Sequence, residues 1–84
     1  MPLTFRVEGA GGAAPLERYL GAYGHLVALR EGDLGYLHVH PEPELVDGQI
    51  KFWLTTPGTG RYRLYLDFQV GTTVHTAEFT LTVL

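Results

Sequence analysis

Most of this chain alternates apolar and polar residues with a period of two, and that alternation limits what it can fold into more than any other feature. In "RYRLYLDFQV" the residues Tyr62, Leu64, Leu66, Phe68 and Val70 fall on one side and the polar residues between them on the other. "LTFRVE" does the same with Leu3, Phe5 and Val7, and "QIKFWLTT" with Ile50, Phe52 and Leu54. Side chains of an extended strand point alternately to its two faces, so each stretch reads as a strand with one buried and one wet face. Turn residues separate the stretches at near-regular spacing: "GAGGAA", "EGDLG", "PEPELVDG", "TPGTG" and "VGTT". The expected fold is therefore all-β: a small antiparallel immunoglobulin-like β-sandwich of about six or seven strands, with one short helical turn. Its 84 residues are enough for one domain, residues 1–84. A domain of that size buries only about 60 to 65% of its unfolded surface.

Two hairpins follow from turn chemistry. Gly71-Thr72 closes one, which sets Phe68 opposite His75, Leu66 opposite Ala77 and Leu64 opposite Phe79. Gly32-Asp33 closes the other, which sets Glu31 opposite Leu34, Leu29 opposite Tyr36, Val27 opposite His38 and His25 opposite His40. Between the strands, "GAGGAA" has the composition of a flexible connection and "PEPELVDG" that of a polar loop. "PLERYLG" is the helical candidate, a turn or two over residues 16–20, with Pro15 in its first turn and Gly21 as the left-handed residue that stops it. Tyr62, just after the glycine-proline corner, is placed for its hydroxyl to bond back to that corner.

Composition removes several function classes. Six basic and nine acidic residues give a formal charge of -3, with no basic cluster to neutralise a row of phosphates, so nucleic acid is not expected as a partner. There is no run of 18 apolar residues and no basic-then-apolar leader, so neither membrane insertion nor a signal peptide is expected of this chain. Without cysteine, a metal would have to be held by nitrogen and oxygen, and blue-copper electron transfer is excluded. Met1 is the single methionine, which argues against a methionine-rich copper(I) carrier. No nucleophile elbow, phosphate-cradling loop or paired catalytic carboxylates stand out, and no enzymatic activity or catalytic residue is expected.

What remains is histidine. In the Gly32-Asp33 register, His25, His38 and His40 share one face, with opposed Cβ atoms about 4.5 to 5.5 Å apart. That spacing lets imidazoles converge on zinc or copper(II), the ions that such ligands suit best. His75 points inward beside Phe68 and reads first as a histidine of the core rim; as a fourth ligand it stays open. Glu42 and Glu44 read as a solvated acidic loop, with ligation or orientation of an imidazole as the alternative. Trp53 reads as packing. The rival to metal binding is a structural or interaction domain, pairing as a homodimer through a strand edge or using an aromatic patch of Tyr23, Tyr36 and Trp53.

The segments "YLGAYGHLVALREGDLGYLHVHPE" and "PGTGRYRLYLDFQVGTTVHTAEFTLTV" resemble a recurring bacterial immunoglobulin-like domain of exported or membrane-anchored proteins, described in connection with copper and heavy metals. The resemblance covers residues 16–83, and "GH" with "LHVHP" is its most specific part. It implies a sandwich fold and an extracytoplasmic location, and its most specific segments coincide with the histidines just named.

Overall fold

The computed structural model describes residues 1–9, 12–32, 35, 37–55 and 58–84. Among the described residues nine strands are formed: β1 (Pro2–Phe5), β2 (Glu8–Gly9), β3 (Gly12–Ala13), β4 (Leu16–Glu17), β5 (Gly24–Arg30), β6 (Val39–Pro41), β7 (Ile50–Leu54), β8 (Gly60–Val70) and β9 (Thr73–Val83). A three-stranded sheet runs in the order β1-β7-β6. In the larger sheet β8 is central, flanked by β9 on one edge and by β5 and β4 in tandem on the other. Seven strands thus make the two main sheets, all paired antiparallel, and β2 and β3 form a separate small hairpin.

The alternation read from the sequence is the alternation of burial. Ile50, Phe52 and Leu54 of β7 are buried, as are Tyr62, Leu64 and Leu66 of β8. Phe52 and Leu66, contributed by facing sheets, are the largest fully buried side chains, and Ala28 of β5 packs with Tyr62 and Leu64. Phe68 and Val70, in phase with this set, are only half-buried. Geometry explains it: at about 3.4 Å per residue, a strand of eleven residues runs far past one of five, so the end of β8 has little of the small sheet opposite it.

At Gly24 the two sheets approach closely. A Cβ there would lie 2.8 Å from Ile50 Cγ2 and 3.2 Å from Phe52 Cζ, so only glycine lets β5 approach β7 this closely. The Gly71-Thr72 hairpin has the expected register, with Phe68 opposite His75, Leu66 opposite Ala77 and Leu64 opposite Phe79. Tyr62 is buried and its hydroxyl donates to Gly58 O at 2.9 Å, tying the start of β8 to the corner before it.

Three local expectations are corrected. Among the described residues there is no helix, and so none long and apolar enough to cross a membrane. The "PLERYLG" segment forms β4 against Val70 and Gln69, then a tight turn in which Tyr19 and Ala22 exchange backbone hydrogen bonds. Leu20 and Gly21 both have positive φ there, 53° and 86°. One helical turn costs more conformational entropy than its single hydrogen bond returns, and pairing with β8 wins. The glycine-rich "GAGGAA" lies largely within the β2–β3 hairpin; Ala10 and Gly11 are outside the described residues. Within "PEPELVDG", Val46 and Gln49 bridge across Asp47 (φ 51°) and Gly48 (φ 75°), the paired positive φ angles that make Asp-Gly a hairpin turn.

The fourth difference decides the site. Arg30 N donates to Gly35 O and Leu37 N to Ala28 O, the bonds expected from the hairpin register that opposes residues 29 and 36. Asp33, Leu34 and Tyr36, on which that expectation also rested, lie outside the described residues. Beyond Leu37 the chain leaves the hairpin: His38 O accepts from Thr55 N, and β6 pairs with β7, His40 opposite Trp53. Leu37 belongs to one sheet by its hydrogen bond and His40 to the other.

Candidate functional site

On β6, Val39 packs against the core together with Leu37 just before it, so His38 and His40 are turned out of the small sheet, and both are exposed. Their rings lie 4.4 Å apart, centroid to centroid, at 68°. His40 pairs across the sheet with Trp53, whose parity on β7 is opposite to that of Ile50, Phe52 and Leu54. Trp53 is accordingly 41% exposed rather than packed inside. Its indole is held from two sides: Nε1 donates to Glu42 Oε1 at 2.6 Å, and Lys51 Nζ lies 4.5 Å from the ring centroid, a cation–π contact. Glu42 is kept in place by its own backbone, its N–H donating to Lys51 O at 2.9 Å. The outer face of this short sheet thus carries two imidazoles, an indole, a carboxylate and an ammonium on adjacent strands.

The other histidines go elsewhere. His25 is not opposite His40, which pairs with Trp53; β5 is paired with β8, and His25 lies opposite Asp67. Its Nε2 makes a hydrogen bond with Tyr19 O, and its ring stands edge-on to the Tyr19 ring at 5.7 Å. The expected register fails for a physical reason: an antiparallel hairpin keeps the same faces aligned only while it stays in one sheet. Once the chain crosses after Leu37, the outward side of β5 faces away from the large sheet and the outward side of β6 from the small one. His75 stacks on Phe68 at 5.4 Å and 22°, beside the unmatched end of β8, as its register with Phe68 implied.

Glu44 is engaged by Arg18 at 2.6 Å, and the Arg18 guanidinium also lies 4.8 Å from the Tyr23 ring centroid. Tyr23 is partly buried and packs against the core, and Tyr36 is outside the described residues. Among the described residues, no three of His, Cys, Asp and Glu gather as a ready-made metal cage. What the fold brings together is the His38–His40 pair. The exposed indole beside it was signalled in the sequence by Trp53 being out of phase with its apolar neighbours.

No curated protein and no solved structure matches this chain. A family model described as a domain of unknown function matches residues 1–84, the full length of the sequence. The chain is therefore a member of the DUF8832 family.

Proposed function

We propose that this sandwich is a metal-binding module in which His38 and His40 chelate zinc or copper(II). The observation that carries the reading is the ring pair itself, two exposed imidazoles 4.4 Å apart, His40 on β6 and His38 just before it. Imidazole nitrogens suit both ions, with copper(II) ahead of zinc in intrinsic affinity. Zinc bound at about 2.0 to 2.1 Å by two nitrogens keeps two of its four positions for water or for donors from elsewhere. Glu42, two residues after His40 in the chain, supplies a third donor if its carboxylate leaves Trp53. His25 and His75, each held by its own partners, take no part in this chelate. The extracytoplasmic location implied by the resemblance belongs to the same proposal.

Titration calorimetry of untagged protein with zinc chloride and with copper(II) chloride tests the reading. Saturable binding of one ion per chain is expected, lost in His38→Ala and in His40→Ala and kept in His75→Ala. Absence of heat and of any melting shift with both ions overturns it. The alternative, an interaction domain without metal, draws its own support from the exposed and doubly held ring of Trp53.

A further inference from the structure

A strand edge with unpaired N–H and C=O groups is a template for another strand, and stable monomers blunt such edges with proline, lysine, bulges or short length. The edges of this molecule differ in that respect. β1 is four residues long and begins at Pro2; β6 is three residues long, ends at Pro41 and is followed by Pro43. The open side of β5 is met by hydrogen bonds with Gly35 and Leu37. β9 has no such guard. It is eleven residues long, "TVHTAEFTLTV", without proline, lysine or arginine, rich in β-branched residues, and among the described residues it pairs with β8 alone. Val74 is 43% and Phe79 40% exposed along it.

We infer that β9 is a homodimer interface, pairing antiparallel with β9 of a second copy about a two-fold axis at Phe79. The register follows from the side chains. Val70 and Thr73 flank the two-residue turn and bond to each other, so odd-numbered residues of β9 bond to β8, and the even-numbered ones present their N–H and C=O outward. An axis at Glu78 would set Glu78 directly against its copy, which like charges disfavour. An axis at Ala77 would run the partner strand into the Gly71-Thr72 turn. With the axis at Phe79, residues 75–83 map onto themselves. Thr76 then meets the partner's Thr82, Ala77 the partner's Leu81, and Phe79 its own copy. Glu78 meets the partner's Thr80.

That last pairing is complementary in charge. Within one chain Arg63 Nη1 donates to Thr80 Oγ1 at 2.7 Å and Arg63 Nη2 lies 3.6 Å from Glu78 Oε2. In the dimer each Glu78 therefore faces a threonine that already carries the partner's Arg63. Because the axis consumes both β9 edges and the remaining edges are short, guarded or already bonded, the assembly closes at two copies and does not extend into a fibre. The pairing uses the large sheet and leaves the His38–His40 face free, so it stands independently of metal binding.

Analytical ultracentrifugation over a concentration series should show reversible association to twice the 9.3 kDa of one chain. Thr80→Glu sets a carboxylate against the partner's Glu78 at two symmetric places and should raise the dissociation constant about tenfold with the far-ultraviolet spectrum unchanged. Phe79→Cys supplies a register test in a chain with no cysteine of its own. Opposed residues at a non-hydrogen-bonded site have Cα atoms about 4.5 Å apart, within disulfide reach. It should cross-link quantitatively on mild oxidation, and Ala77→Cys, two residues off the axis, should not. A folded protein that stays monomeric throughout the series overturns the proposal. A dimer insensitive to Thr80→Glu that fails to cross-link through Phe79→Cys overturns it equally, because it would place the interface elsewhere.

Discussion

The two main sheets solve the same problem at different lengths. Every inward residue of β7, in the short sheet, is buried, so that sheet spends its apolar side chains inside and shows water a face of imidazole, indole, carboxylate and ammonium. The long sheet cannot be covered in the same way. Past the reach of its partner it carries Phe68 and Val70 half-buried, and its β9 edge has no guards and leaves Phe79 40% exposed even though that ring lies 5.1 Å from Phe5 of the short sheet. Stability is therefore concentrated between the sheets where they overlap, and the surfaces that can bind something are the outer face of the short sheet and the free edge of the long one.

Substitution of one phenylalanine enclosed between the sheets and one on the β9 edge gives the sharpest break of that comparison. Phe52→Ala should cost about 3 to 5 kcal/mol, close to the whole stability of so small a domain. Phe79→Ala, measured by the same urea titration on dilute monomer, should cost under about 2 kcal/mol. Similar costs for the two would mean that packing at the β9 edge matters as much as the enclosed core.

A metal bound only by the folded state should stabilise it by about 2.7 kcal/mol at one hundred times the dissociation constant. At roughly 4 to 8 °C per kcal/mol, scanning calorimetry should register a melting rise of about 10 to 20 °C. Ligating nitrogens must be unprotonated, so the rise should be present at neutral pH and shrink as pH falls towards about 5. In His38→Ala it should vanish while the metal-free melting temperature stays put, because both rings are exposed.

Gly24→Ala tests the close approach of β5 to β7. With a Cβ 2.8 Å from Ile50 Cγ2, something must move, and the expected cost is about 1 to 3 kcal/mol by thermal melting. Tyr62→Phe is the mildest of the set. It removes only the hydrogen bond to Gly58 O and should cost about 1 kcal/mol, read from the same melts.

Periodicity and turn chemistry carried the sequence reading a long way. The in-phase sets of β7 and β8, the Gly71-Thr72 register and the Tyr62 bond all depend on local rules, and the fold obeys them. Misreadings arose where a local rule competes with a distant partner. The segment after Pro15 has the marks of a helical turn, yet the edge of β8 was available to pair with it. The hairpin that would have aligned His25 with His40 keeps its register as far as Leu37, but nothing in "LHVHP" announces that the chain then changes sheets. Only the hydrogen-bonding needs of β7, whose residues lie more than ten positions downstream, require that crossing. The His38–His40 pair was legible because i and i+2 share a face in any strand; the three-histidine face was not, because it needed a global fact.

That crossing also bears on how the molecule comes apart. Over a few residues one extended run is bonded first to Ala28 of the large sheet, through Leu37 N, and then to Thr55 and the β7 strand of the small one. It works as a stitch. Sliding or splaying the sheets must tear hydrogen bonds on one side of it or the other, so the two halves of the sandwich should open in one cooperative step. Slowest-exchanging amides are then expected on both β7 and β8, with matching opening free energies.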